Sequence, residues 1–298
     1  MQRIGWLLVA LVPTAGAGQH SAGSGLWRLA ATTLPVPQAL TTGGAAAFWN
    51  PAQGGEGARV LVGLEAIQTS AVVAASGVLA VVRLRAKSLG HLGLVYGRMQ
   101  LGDLVRTSVS PDPDQGSIPF YTQSVGATWS AVRGRTMLGT TLTLRTTRLD
   151  LAHSDRWTFD VGATRTLSAA LRVAVATHFF SSFRTDDPAQ DVYGGVEYRV
   201  WRGRLWKGGT RTAVHLRYGV TFAHGFTSDQ QLGAGLQLGD QLASDLLLVR
   251  EGGYADAGWR AVGGIRVAIG RYRLSFARDA GASDIGAAYR VGLEALLR

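Results

Sequence analysis

The sequence contains no cysteine, and this absence excludes several kinds of chemistry at once. Without cysteine there is no disulfide framework, no thiolate nucleophile and no sulfur ligand for a metal ion. The stability of the chain must therefore come from burial and from hydrogen-bonded backbone.

Long apolar runs are also missing. Beyond the first residues, no stretch approaches the ~18 consecutive apolar positions that a membrane-spanning helix needs. At the start of the chain, Met1 to Arg3 form a short basic start, Ile4 to Val12 form a compact apolar core, and Ala15 to Ala17 resemble a small-residue cleavage site. This order is typical of a secretion signal, so we predict a signal peptide at residues 1–17.

Lysine is scarce, because it occurs only at Lys87 and Lys207, and arginine therefore carries nearly all of the positive charge behind the net +10. A nucleic-acid-binding protein needs a clustered basic face or a recognised module. Here the arginines are scattered singly, so we predict no nucleic-acid partner. In an exported barrel, such arginines pair with acidic side chains or with lipopolysaccharide phosphates.

What the sequence does contain is a repeated alternation of apolar residues with small or polar ones. Successive side chains of a β-strand point to opposite faces, so this pattern predicts strands. The pattern is clearest from Val214 to Phe222, from Trp157 to Ala163 and from Trp259 to Ile269. It recurs in Arg59 to Ala66, Val78 to Ala86, Leu92 to Tyr96, a separate strand within Arg98 to Ser108, Val125 to Ala131, Leu138 to Leu144, Leu171 to Phe179, Val192 to Val200, Leu232 to Leu238, Ser244 to Arg250 and Tyr272 to Phe276.

The last alternation runs from Tyr289 to Arg298, so the final strand can pair with the first and leave no open edge in lipid. We predict an all-β fold, a transmembrane antiparallel β-barrel of about 14 strands at residues 58–298. A short plug-like segment at residues 18–57 precedes it. The predicted location is the outer membrane of a diderm bacterium, in contact with its lipid and lipopolysaccharide.

A soluble periplasmic β protein is the alternative, because a sandwich or propeller shows the same alternation with its apolar faces packed inward. Soluble sheets usually expose a face rich in lysine and glutamate. Here only 17% of the residues are charged, and the faces opposite the apolar ones are mostly small or uncharged. This composition favours the lumen of a barrel.

The run from Gly43 to Ala52, Gly-Gly-Ala-Ala-Ala-Phe-Trp-Asn-Pro-Ala, resembles the N-terminal segment of the FadL-like superfamily of outer-membrane barrels, in particular its PorV/PorQ branch. Gln53 stands where that family usually has glycine. The stretch from Tyr289 to Glu294 also resembles the family's last strand. The resemblance implies a fourteen-stranded barrel with a plug motif inside it, at Gly43, Gly44, Phe48, Trp49, Asn50, Pro51 and Ala52.

The motif residues also have a physical interpretation. Gly43 and Gly44 permit a positive φ, and Pro51 forces Asn50 toward an extended conformation. Asn50 can then bond free backbone groups in an irregular buried segment. For Phe48 and Trp49, we favour simple packing over contact with a ligand.

The resemblance implies two alternative functions. The match from Phe48 to Ala52 leans to the PorV/PorQ branch, whose members are accessories of type IX protein secretion, with secretion-system components or exported proteins as partners. A FadL-like protein would instead pass a hydrophobic ligand across the outer membrane through a plugged barrel.

No catalytic or metal-binding constellation is present. The six histidines include no metal-type close pair, and no nucleophile motif occurs, so we predict neither an enzyme nor a cofactor. Inward-facing arginines either line a passage for anions or pair with Glu65, Asp160, Glu197 and Glu294 to fill a plugged lumen, and we favour pairing. The lumen-facing candidates are Arg145, Arg172, Arg199, Arg217, Arg260 and Arg266.

Overall fold

The computed structural model describes most of the chain. The described ranges are 22–53, 58–86, 89–102, 104–105, 116–181, 190–204, 209–223, 228–252, 258–281 and 286–297. The predicted signal peptide at residues 1–17 lies outside the described residues, as do Lys87 and Lys207.

The described part of the chain forms a closed antiparallel barrel of fourteen strands. The strands are β1 (Val60–Gln68), β2 (Ala75–Ala86), β3 (Gly90–Leu101), β4 (Phe120–Arg133), β5 (Thr136–Leu149), β6 (Ala152–Thr166), β7 (Leu171–His178), β8 (Asp191–Arg204), β9 (Arg211–Ala223), β10 (Asp229–Leu238), β11 (Leu242–Arg250), β12 (Trp259–Ile269), β13 (Tyr272–Asp279) and β14 (Ala288–Leu297). Each strand pairs with the next, and β1 pairs with β14 from Val60 opposite Leu297 to Gln68 opposite Tyr289. The predicted fold class is confirmed.

The separate strand predicted within Arg98 to Ser108 is wrong for the residues that are described. The stretch from Arg98 to Leu101 instead extends β3 and pairs with both β2 and β4. Beyond it, Val105 forms only an isolated bridge with Ser117. The apolar alternation stops at Arg98 because this residue lies near the end of its strand, where its guanidinium sits 4.2 Å from the ring centre of Tyr121.

The two faces of the wall are the reverse of those in a soluble sheet. On β9, Leu216, Tyr218 and Phe222 are 50%, 44% and 44% exposed. Gly219 and Thr221, which alternate with them, are buried. The soluble alternative required apolar faces packed inward, and it is wrong. A closed wall with apolar side chains around its outside is suited to lipid.

The strand ends form two rims that differ in the lengths of their connections. The start of β1 and the end of β14 lie at one rim, here called the turn rim, together with the short connections 87–89, 134–135, 167–170, 205–210, 239–241 and 270–271. The opposite rim, here called the loop rim, carries the two longest connections, 102–119 and 179–190. Outer-membrane barrels have short periplasmic turns and longer external loops, so we expect the turn rim to face the periplasm.

Residues 22–53 lie inside the barrel and are here called the N-terminal segment. They contain α1 (Ala22–Thr32), a 3-10 helix at Gln38–Leu40 and α2 (Ala46–Trp49). On α1, Leu26, Trp27 and Ala30 recur at helical spacing and form one buried face. Within the described ranges, no helix is long and apolar enough to cross a membrane.

Leu246 and Leu242 test the placement of the wall in lipid. Both point outward on β11, Leu246 at the middle of the strand and Leu242 at its turn-rim end. Leu246→Arg should lower the free energy of unfolding by about 2–4 kcal/mol, whereas Leu242→Arg should cost about 0–1 kcal/mol, because only the charge near the midplane is far from water. Urea unfolding in lipid vesicles measures both values. Equal costs would contradict the placement.

Candidate functional site: the barrel lumen

The N-terminal segment crosses the lumen from the loop rim to the turn rim. Near the loop rim, the Trp27 indole Nε1 donates a hydrogen bond to Thr122 Oγ1 at 3.2 Å. Near the turn rim, the guanidinium of Arg83 on β2 donates to the backbone oxygen of Gln53. The segment therefore has contacts with the wall near both ends of the barrel.

Glycines in the wall make room for this segment. A Cβ added at Gly264 would lie 2.5 Å from Pro35 Cγ, and one added at Gly219 would lie 2.5 Å from Pro37 Cβ. Interiors are close-packed, so a larger residue at either position would displace the segment. The small inward residues of the strands are therefore a steric requirement of a filled lumen.

The predicted plug-motif residues lie in the second half of the N-terminal segment. Gly43 has a φ of +95°, which favours glycine, and the Gly44 backbone N–H donates to Glu294 Oε1 at 2.8 Å. Phe48 and Trp49 are 6% and 0% exposed and pack edge to face, with ring centres 5.1 Å apart. These residues are held among other protein groups and have almost no exposed surface.

Asn50 connects two irregular parts of the segment. Its backbone is extended, with a φ of −142°, as expected for the residue before Pro51. Its side-chain Nδ2 donates to the backbone oxygen of Ala39 at 2.7 Å, and its Oδ1 accepts a hydrogen bond from the Ala52 N–H at 3.0 Å. Pro51 lies directly against Gly139 of β5.

Gln53 and Arg83 anchor the end of the segment. The alternation of β2 places Arg83 on the inner face, but no pattern in the sequence predicted the contact between the two residues. The Gln53 side chain donates to the backbone oxygen of Ala39 at 3.2 Å and to Thr164 Oγ1 at 3.0 Å. Arg83 donates to the Gln53 backbone oxygen and to Ser130 Oγ. No local pattern marks Gln53, because its wall partner Thr164 lies 111 residues away in the chain.

Six buried rings form a cluster in the loop-rim half of the lumen, here called the aromatic cluster. Its members are Trp27, Phe48, Trp49, His178, Phe179 and Tyr193. The ring centre of Phe48 lies 4.8 Å from that of Trp27, 5.0 Å from that of His178 and 5.9 Å from that of Phe179. These separations are typical of favourable aromatic pairs. Three rings come from the N-terminal segment and three from the wall side, so the cluster joins the two.

Phe179 reaches the aromatic cluster through a distortion of the wall. The strand predicted to include Phe179 ends at His178, and Phe179 has a φ of +55°. This conformation is rare for a bulky residue and costs on the order of 1–3 kcal/mol. Beside it, the Thr177 hydroxyl accepts the backbone N–H of Val161 at 2.9 Å, in place of a ladder hydrogen bond.

Polar groups line the inner wall around the aromatic cluster. Asp160 Oδ2 lies 3.4 Å from His178 Nδ1, and within the described ranges Asp160 forms no ion pair with the arginines expected from the sequence. The hydroxyls of Ser124, Thr141 and Thr158 are buried and have no hydrogen-bond partner within the described residues. Buried groups of this kind commonly bind water. No cluster of three or more metal-ligating side chains occurs in the described ranges.

The six predicted lumen arginines do not converge on one passage. Arg145 lies in the loop-rim half, with its guanidinium 5.0 Å from the ring centre of Phe179. Arg260 lies at the loop-rim end of β12 and forms ion pairs with Glu251 at 2.7 Å and Asp279 at 3.0 Å. The remaining four line a cavity at the turn rim: Arg172, Arg199, Arg217 and Arg266.

Several of the expected ion pairs are present in the lumen. Arg217 bridges two strands, with Nε 2.7 Å from Glu197 Oε2 and Nη1 2.6 Å from Asp245 Oδ1. Glu197 also pairs with Arg172 at 3.2 Å. A further pair joins Arg290 to Glu65, although Arg290 was not among the candidates.

The turn-rim cavity has a volume of about 350 Å³ and lies between the N-terminal segment and strands β7 to β13. Val36, Leu40 and Thr42 of the segment form its inner side. The connections 167–170 and 239–241 border it at the rim. A much smaller cavity of about 10 Å³ lies beside the aromatic cluster, where Phe48 meets β1, β2 and β3.

No protein-family model matches the chain, and no curated protein matches it. Among solved structures, the toluene transporter TodX of Pseudomonas putida superposes with a TM-score of 0.52 at 9% identity, covering 95% of this chain and 98% of that chain. The toluene transporter TbuX of Ralstonia pickettii superposes with a TM-score of 0.51 at 13% identity, covering 86% and 94% of the two chains. At these identities, the likeness shows a shared fold.

The wall and the lumen together define the class of the protein. A closed fourteen-stranded wall, apolar outside and filled inside by an irregular segment, makes this chain a transmembrane β-barrel of the outer-membrane type. The predicted location in the outer membrane is supported by the shared fold.

Gly264 and Gly263 on β12 test the fit between segment and wall. Gly264→Val places a side chain against Pro35, so the N-terminal segment should be displaced and become cleavable by added protease. Gly263 points outward, and a Cβ there would have no heavy atom within 4 Å, so Gly263→Val is the matched control. Limited proteolysis with mass spectrometry, on barrels that retain a heat-dependent gel shift, compares the two. Equal resistance would contradict the steric role of Gly264.

Proposed function

We propose that this chain is a FadL-like outer-membrane channel for hydrophobic small molecules, in which residues 18–57 act as a movable plug. The observation that carries the proposal is the aromatic cluster. It lies inside a closed barrel and is built partly from the plug and partly from the wall, so a movement of the plug separates its rings. Flat apolar ligands bind well between aromatic rings, which prefer offset or edge-to-face contacts.

The two toluene transporters that share this fold support the proposal, since their cargo is a small aromatic hydrocarbon. The distribution of polarity along the lumen also supports it. The aromatic cluster lies toward the loop rim, which we expect to face outward, and the larger cavity lies toward the periplasm. A ligand that enters at the loop rim reaches the aromatic cluster first and the turn-rim cavity after the plug has shifted.

The second function implied by the sequence, an accessory role in type IX protein secretion, rests on the motif from Phe48 to Ala52. The motif residues Trp49, Asn50 and Ala52 are at most 1% exposed. Their contacts with Ala39 and with the wall account for the motif as a packing element. A secretion-system component or an exported protein could not touch these side chains in this arrangement, so we do not favour this role. Catalysis is not part of the proposal.

A reversible lock on the plug tests the proposal. Ala39 of the plug faces Gly195 of β8, where an added Cβ would lie 3.3 Å from the Ala39 Cβ, close to the separation in a disulfide. The chain has no cysteine of its own, so Ala39→Cys with Gly195→Cys creates a single disulfide. We expect cells with the wild-type protein to take up radiolabelled toluene faster than cells without it. The oxidised double variant should lose this gain, and reduction should restore it.

The single variant Gly195→Cys is the control, because a side chain at this position also displaces Leu40, which lies 2.7 Å from the added Cβ. It should take up toluene to the same extent under oxidising and reducing conditions. Absence of any uptake gain with the wild-type protein would contradict the channel function. An oxidised double variant that still takes up toluene would contradict the movable plug.

A further inference from the structure

We propose that the turn-rim cavity binds an oxyanion, a carboxylate or a phosphate group, through Arg199 and Arg266. This inference does not depend on the proposed transport of hydrophobic molecules. It rests on the charge balance of the cavity, on the bonds that each guanidinium already makes, and on the volume left between them.

The described lining of the cavity has an excess of positive charge. Five arginines line it, and three carboxylates accompany them. The arginines are Arg172, Arg199, Arg217, Arg266 and Arg273, and the carboxylates are Glu197, Asp240 and Asp245. Arg273 is paired with Glu294 just beyond the lining, so five arginines face four carboxylates and one positive formal charge is left.

The carboxylates are not shared evenly among the arginines. Arg217 holds Glu197 at 2.7 Å and Asp245 at 2.6 Å, and Arg172 adds a second contact to Glu197 at 3.2 Å. Arg273 lies 3.9 Å from Glu294, beyond the cavity lining. Glu197 and Asp245 are thus already engaged by Arg172 and Arg217, and His215 Nδ1 lies 3.7 Å from Glu197 Oε1.

In the described part of the chain, the hydrogen bonds of Arg199 and Arg266 go to neutral oxygens, and the Glu294 carboxylate is also within electrostatic range of Arg266. Arg199 donates to the backbone oxygen of Ala169 in the connection between β6 and β7. Arg266 donates to Thr42 Oγ1 of the N-terminal segment at 2.8 Å. A guanidinium has five N–H donors and binds planar oxyanions in a bidentate manner, so each of these two retains donors for a ligand.

Like-charged side chains that share one cavity repel each other. An oxyanion bound by Arg199 and Arg266 reduces this repulsion. The volume of about 350 Å³ falls within the range of small-molecule sites and leaves room for a ligand larger than one ion.

The cavity borders the turn rim, so two sources can supply the same oxyanion chemistry. One is a small soluble anion from the aqueous compartment below the rim. The other is the headgroup of an anionic lipid at the edge of the wall. Inward-facing side chains of β8, β9 and β12 surround the site, which favours a small soluble anion.

Calorimetric titration of the full-length mature protein tests the inference. The protein is prepared lipid-free in a neutral detergent and titrated with inorganic phosphate and, separately, with benzoate. A second arm repeats the phosphate titration in nanodiscs of phosphatidylcholine alone and in nanodiscs containing anionic phosphatidylglycerol. Loss of phosphate binding only in the anionic nanodiscs would identify the lipid headgroup as the occupant of the same site.

Arg199→Gln and Arg266→Gln are the test variants, because glutamine keeps a donor for Ala169 or Thr42 and removes the charge. Each should weaken anion binding by about tenfold or more, as expected for the loss of a charge-assisted hydrogen bond. Arg165→Gln is the matched control, since Arg165 is exposed on the outer face of β6 near the same rim. It removes one positive charge without touching the cavity.

The expected result is saturable binding of one anion per barrel, weakened by both test variants and unchanged by the control. A heat-dependent gel shift confirms that each variant is folded. Absence of saturable binding in detergent would overturn the proposal. Equal weakening by Arg165→Gln would also overturn it, because the effect would then come from net charge and not from a site.

Discussion

The structure depends on one constraint, which is that backbone N–H and C=O groups inside lipid must bond to other backbone groups. The pairing of β1 with β14 meets this constraint by removing both open edges of the sheet. Closure with fourteen strands fixes the diameter of the barrel, and a barrel wider than about eight strands leaves an interior that its own side chains do not fill. The N-terminal segment, the inward glycines and the arginine pairs are all consequences of that interior.

The interior is filled differently at its two ends. Toward the loop rim, rings from the plug and the wall meet in the aromatic cluster, and polar groups such as Asp160 and Thr158 lie on the surrounding wall. Toward the turn rim, the plug leaves a cavity, and Arg217 ties Glu197 to Asp245 across neighbouring strands. The N-terminal segment therefore lies between a closely packed, largely apolar half of the lumen and a charged cavity.

The strands and their facing were predictable because lipid imposes one rule on every second residue, as the exposed Leu216 and buried Thr221 of β9 show. Near the end of a strand this rule weakens, and the strand at Arg98 was misjudged for that reason. Some of the predicted ion pairs of the lumen arginines are present. They could be predicted because few inward carboxylates are available as partners. The anchor at Gln53 and the inward turn of Phe179 depend on distant partners and on backbone strain, and no local period in the sequence encodes either.

Because Phe179 turns inward, the pairing between neighbouring strands is not equally long all around the barrel. β6 pairs with β5 over fourteen residues but with β7 over only five, from Gly162 opposite Ala176 to Thr166 opposite Arg172. Regions with fewer cooperative hydrogen bonds open at a lower free energy than the rest of a fold. Local opening of the wall should therefore begin on one side of the barrel. We expect the hydrogen bonds to separate first along the β6–β7 seam, where the bonds of Phe159 N–H to Phe180 O and of Val161 N–H to Thr177 Oγ1 are the ones found beyond the ladder in the described ranges.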